Sequence, residues 1–118
     1  MASNPRLDIL LKSLDDNQAI DIRVIDVKKQ TSVTDYMVVC SGRSSRHISA
    51  IAEYLITDMK KSGFPAITKH GLAEGEWALI DFGEFVVHIM QPQSRDFYNL
   101  EDLWQKASDI SQDKSTHA

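Results

Sequence analysis

The sequence predicts an α/β domain in which helices flank a mixed β-sheet, in the order α-β-β-α-β-β-β-α. Two patterns carry this prediction. Stretches with apolar residues three and four apart alternate with short strand-length runs. One of those runs, Tyr36 to Cys40, is apolar without a break, the mark of a strand buried on both faces.

Each element has its own local reason. Leu7, Leu10, Leu11 and Leu14 form one stripe of a helix that starts near Asn4–Pro5 and ends at Asp15-Asp16-Asn17. Pro5 suits a first helical turn, where its missing N–H would have had no partner in any case. Ile20, Ile22 and Val24 alternate with Asp21 and Arg23, a strand with one wet face; the alternation slips at Ile25, where a bulge or a change of exposure is expected. Lys28 to Ser32 is polar and turn-like. After the apolar run, Ser41-Gly42-Arg43-Ser44-Ser45 marks the change from strand to helix. Ile48, Ile51, Ala52, Leu55, Ile56 and Met59 then share a helix face, with Glu53, Asp58, Lys60 and Lys61 opposite. Ser44 or Ser45 can cap this helix and Gly63 can close it. Phe64 to Lys69 reads as a short strand and Gly71 to Gly75 as a loop. Strands Glu76–Asp81 and Phe85–Gln91 flank a tight turn that Gly83 permits. Ser94 is the expected cap of a last helix carrying Phe97, Leu100, Leu103 and Trp104 on one face. Residues 1–107 are expected to form one domain and 108–118 a polar tail.

Composition narrows the function. The chain has 118 residues, enough for one domain, and its 42% hydrophobic and 25% charged content excludes a disordered chain. Thirteen Lys and Arg against 17 Asp and Glu give a net charge of −4, which argues against direct recognition of nucleic acid. No apolar run approaches the roughly 20 residues of a membrane span. The N-terminus has neither a signal- nor a transit-peptide pattern, so a soluble cytoplasmic protein is expected. The charge is asymmetric: residues 1–70 carry ten basic and eight acidic side chains, residues 71–118 three and nine. A partner of the C-terminal half is therefore expected to be basic.

Hairpin parity separates a core face from a second face, whichever two residues form the loop. Ala78, Ile80, Phe85, Val87 and Ile89 share one face, wholly apolar and fit to lie under helices. Trp77, Leu79, Val86, His88 and Met90 share the other, rimmed by Asp81 and Glu84. An aromatic and aliphatic patch with a charged border has the anatomy of a protein-docking surface; the alternative is that another helix of the same domain covers this face too.

Catalytic chemistry has weaker support. Arg43, Ser44, Ser45 and Arg46, with His47, open a helix and form a candidate anion-binding corner, but they lack P-loop spacing and capping accounts for the serines. A strand, a Ser-Gly turn and a helix also occur in nucleotidyltransferases, whose two metal ions need paired carboxylates on a neighbouring strand. Asp21 and Asp26 are five apart, on opposite faces of a regular strand, so the catalytic metal site is missing. His47, His70, His88 and His117 have no metal-ligand spacing, and lone Cys40 lies in a buried run; no metal, cofactor or catalytic residue is expected.

Two long stretches, Thr34 through His47 and Glu76 through Met90, the second continuing into Ser94-Arg95-Asp96-Phe97-Tyr98 and on to Trp104, resemble the ribosomal silencing factors, the iojap-like family of bacteria and organelles. The likeness spans roughly residues 5–106. It implies a nucleotidyltransferase-like α/β fold without transferase activity. It further implies binding to ribosomal protein number fourteen on the joining face of the large ribosomal subunit. That blocks the small subunit sterically and represses translation under nutrient limitation; unbound members often form homodimers. On this resemblance the docking role falls on Trp77, Leu79, Asp81 and Met90, and also on Glu84 and His88. The rival reading is a small nucleotidyltransferase or nucleotide-binding enzyme using the Arg43–His47 corner.

Overall fold

Helix α1 (Pro5–Asp16) begins at Asn4, whose Oδ1 accepts the backbone N–H groups of Arg6 (3.1 Å) and Leu7 (3.3 Å). Leu10 and Leu14 of its apolar stripe are fully buried. Helix α2 (Ser45–Lys61) is capped by Ser44, whose Oγ accepts the His47 N–H at 3.1 Å. At its other end Gly63 takes φ +92°, the Gly63 N–H donates to the Lys60 carbonyl and the Phe64 N–H to the Met59 carbonyl. That paired arrangement is a Schellman motif, the closure expected of a glycine there. The computed structural model describes residues 4–29, 31–32, 34–71 and 76–93.

Five strands make one sheet: β1 (Ile20–Asp26), β2 (Tyr36–Ser41), β3 (Thr68–His70), β4 (Trp77–Asp81) and β5 (Phe85–Met90), in the spatial order β1-β2-β5-β4-β3. β2 and β5 run parallel and every other pair is antiparallel, so the sheet is mixed as expected. β2 is an interior strand, between β1 and β5, and is buried from Met37 to Ser41, which accounts for its unbroken apolar run.

At Ile25 the exposure changes as expected: Val24 is exposed, while Ile25 is partly buried against Val27, Met37 and Val39. A separate bulge lies between Ile20 and Arg23, where Asp21 adopts φ +51°. Two local readings need correction. β3 is Thr68–His70, shorter and later than Phe64–Lys69, because Phe64 packs back on the core after closing α2. Pro92 and Gln93 already have helical backbone, so helix entry precedes Ser94 and Pro92 occupies the first turn, where proline is favoured. The rest of that predicted helix and the tail lie outside the described residues.

Both described helices pack on the same side of the sheet. α1 lies against α2, and α2 against β4 and β5. The core joins Leu10 and Leu14 of α1 to Ile48, Ile51, Ala52, Leu55 and Met59 of α2. Beneath them lie Val38 and Cys40 of β2 and all five residues of the expected hairpin core face, Ala78, Ile80, Phe85, Val87 and Ile89. One polar link ties the helices together: buried Ser13 donates from Oγ to the Asp58 carboxylate at 2.6 Å. Leu55→Ala, at a fully buried position between helix and sheet, should lower stability by about 2–5 kcal/mol through lost burial and a residual cavity. Urea unfolding should show this as a lower midpoint with an unchanged slope.

Candidate functional site

The opposite face of the sheet carries no helix among the described residues. Strand register builds it: His70 lies opposite Leu79, Leu79 opposite His88 and His88 beside Val39, one row across β3, β4, β5 and β2. Trp77 stands opposite Met90 and therefore diagonal to His88, within reach of an aromatic ring. The β4–β5 loop is Gly83-Glu84, closed by the Phe82 N–H donating to the Phe85 carbonyl at 2.8 Å. Gly83, at φ +88°, supplies the left-handed conformation that the first loop position of a primed hairpin turn requires.

Trp77 and His88 form a bonded pair. The indole Nε1–H donates to His88 Nδ1 at 3.0 Å, with ring centroids 5.8 Å apart and planes tilted by 49°. An Nδ1 that accepts requires the neutral ring to carry its proton on Nε2. His88 is half-buried between aliphatic neighbours, and that burial pushes its pKa down to about 4 from the ordinary 6.5. The ring is neutral near pH 7.

Trp77, Leu79, His88, His70 and Gly71 line a shallow, mainly apolar concavity of about 320 Å³. His70 and Gly71 are absent from the sequence-based assignment, because the predicted strand stops at Lys69; continuing its alternation by one residue brings His70 into the row. Gly71 takes φ +78°, and a Cβ there would collide with the Trp77 carbonyl oxygen. Glycine is therefore what lets the end of β3 close against β4.

The remaining docking candidates separate. Asp81 sits half-buried at the far end of the Trp77 side of β4, and its Oδ1 accepts the Gly83 N–H at 2.7 Å. Met90 has 0% exposure, so it offers no surface to a partner. Glu84 is turned toward the helix layer, where its Oε1 accepts from the Asn4 Nδ2–H at 3.2 Å. Parity places Met90 correctly but not its depth, and neither parity nor composition reveals the Asn4 contact. Of the nine acidic residues after position 70, Glu76, Asp81 and Glu84 are described; the other six lie outside the described residues.

At the candidate anion corner the local groups hold one another. The Arg43 N–H donates to His47 Nδ1 at 2.9 Å, and His47 Nε2 lies 3.0 Å from the Asn17 carbonyl. Ser44 caps the helix, and Ser45 Oγ accepts from Gln91 Nε2 at 3.1 Å. Arg43 and Arg46 are exposed. Asp21 and Asp26 sit on edge strand β1, ion-paired with Arg23 (3.5 Å) and Lys28 (3.6 Å). Among the described residues, no three His, Cys, Asp or Glu side chains gather as a metal-binding group.

The whole chain, residues 1–118, matches the family model described as "Ribosomal silencing factor during starvation". The chain belongs to the RsfS family. It is 42% identical over 98 residues to the ribosomal silencing factor RsfS of Haemophilus influenzae, covering 83% of this chain and 96% of that protein. A mouse relative named "Mitochondrial assembly of ribosomal large subunit protein 1" is 38% identical over 101 residues, 83% of this chain and 44% of its own length. A crystal structure from Chromobacterium violaceum superposes with a TM-score of 0.84 at 34% identity, covering 89% of this chain and 88% of that one. The mixed sheet with two helices is thus the architecture of a structural neighbour as well.

Two outcomes follow for this RsfS-family face. His88 titrates near 4 when folded and near 6.5 when unfolded, so its contribution is fully present above about pH 6.5 and is lost as pH falls toward 4. The loss should be on the order of 1–3 kcal/mol, measured as the extra fall in denaturation midpoint of wild type over His88→Leu between pH 7.5 and 4.5. Gly71→Ala should cost more than about 1 kcal/mol, since the new Cβ meets both an unfavourable φ and a backbone oxygen. Thermal unfolding checks it.

Proposed function

We propose that this chain is a ribosomal silencing factor that docks through its Trp77 face on ribosomal protein number fourteen of the large subunit. It thereby keeps the small subunit away and represses translation under nutrient limitation. The observation that carries the reading is the half-exposed Trp77 standing with Leu79 and His88 around an apolar concavity on the side of the sheet away from α1 and α2. An aromatic anchor of this kind beside aliphatic walls is what a protein interface desolvates. Family membership supports a ribosomal target, and the printed name of the mouse relative concerns assembly of a large subunit. Glu76 beside the anchor and Asp81 at the other end of β4, within an acidic half of the chain, suit the basic surface of a ribosomal protein.

Silencing by exclusion needs no bond made or broken. It needs only occupancy of a surface that the small subunit must reach, so affinity and bulk set its strength. The nucleotide-binding alternative finds no support in the Arg43–His47 corner, where the hydroxyl of Ser44 and the ring of His47 serve the fold. Self-association of the unbound protein through the same face, and action in the cytoplasm, belong to this reading as well.

A subunit-joining assay tests it. Added to separated subunits, the protein should reduce the fraction of whole ribosomes in proportion to its occupancy of large subunits. Trp77→Ala should weaken co-sedimentation with large subunits by roughly 30-fold or more while leaving the circular dichroism spectrum unchanged. Undiminished binding by that variant would remove Trp77 from the interface.

A further inference from the structure

We propose that His88 is the positioning residue of the docking surface: by accepting the Trp77 indole N–H on Nδ1, it orients the ring and keeps its donor satisfied once a partner covers it. The inference rests on the docking role proposed for the Trp77 face and adds to it a requirement internal to this chain.

The geometry carries it. A half-exposed indole can give its N–H to water, so in the unbound protein the 3.0 Å bond to His88 is worth little. Docking removes that water. A covered N–H without an acceptor would then weaken binding roughly five- to 150-fold, the equivalent of an unsatisfied buried donor. His88 supplies the acceptor from β5, within the surface itself, so the partner can be apolar where it meets the indole. The same bond limits the rotamers of Trp77 before contact, and fixing such a side chain in advance is worth about two- to tenfold in affinity. Both rings line the one concavity, so a change in the pair alters the surface that the partner meets. Burial between Leu79 and Val39 keeps the imidazole neutral, with Nδ1 available to accept.

The test compares wild type, His88→Leu, His88→Asn, Trp77→Phe and the double variant Trp77→Phe/His88→Leu, all as full chains. Titration against purified large subunits gives affinity, and the exchange rate of the Trp77 indole proton in the unbound protein, read by nuclear magnetic resonance, gives the state of the bond. His88→Leu should bind at least tenfold more weakly and its indole proton should exchange faster, at a denaturation midpoint near that of wild type at pH 7.5. His88→Asn, whose side-chain oxygen sits near the place of Nδ1, should recover most of both. In the double variant the two losses should sum to less than their separate effects, because neither donor nor acceptor is left stranded. Wild-type affinity in His88→Leu, or strictly additive losses in the double variant, overturns the positioning role while the docking role stands. Wild-type affinity in Trp77→Ala overturns the docking role and this inference with it.

Discussion

Strand alternation gives the β4–β5 hairpin two apolar faces, and both described helices use the same one. Ala78, Ile80, Phe85, Val87 and Ile89 go under α1 and α2 and are fully or almost fully buried. The alternate residues point the other way, and there Trp77, Leu79, Val86 and His88 remain half-exposed. At roughly 25 cal/mol for each Å² of apolar surface left in water, a Trp–Leu–Val strip forgoes a sizeable stabilisation. Among the described residues the helices cover one side, and the Trp77 strip on the other keeps partly exposed apolar surface whose position follows from the helices' choice of face.

The character of that surface depends on its second row. Met37 and Val39 of interior strand β2 are buried with Val27, and fully buried Met90 lies opposite Trp77. They seal the β2 side of the strip, while the β4 side stays partly exposed. Toward β3 the strip opens into the concavity, where Gly71 permits the close approach of the edge. An anchor bonded to His88 beside sealed neighbours is held in place yet accessible, a condition for tight binding with little ordering on contact.

Periodicity alone specifies much of this arrangement. Four apolar heptad-like positions define α1, six define α2, and hairpin parity sorts the core face correctly without knowledge of the loop residues, because odd residues of β4 oppose even residues of β5 either way. Family resemblance, carried by two long stretches, agrees with the family match over the whole chain. What pattern cannot supply is depth and detour. Met90 shares a face with Trp77, yet tertiary packing decides that one is sealed and the other open. Glu84 occupies the turn between the faces, and only the position of Asn4 at the head of α1 draws it to the helix side. The β1 bulge rests on a positive φ at Asp21, a conformation that an aspartate tolerates but does not announce.

The helix N-terminus beside β2 illustrates how a fold can resemble an active-site scaffold and still spend its polar groups on itself. A phosphate site at such a place needs backbone N–H groups and hydroxyls that point outward without partners. Here the Arg43 and His47 N–H groups are taken by His47 Nδ1 and Ser44 Oγ, while His47 Nε2 reaches back to the Asn17 carbonyl after α1. One imidazole thus joins the end of α1, the β2–α2 turn and the first turn of α2. Changing it to bind a ligand would loosen three segments together. On the other side of the sheet, His88 has a single bonded partner among the described residues, and that partner is the half-exposed anchor itself. The two histidines divide the molecule's labour: one closes a corner of the fold, and the other prepares a surface for contact.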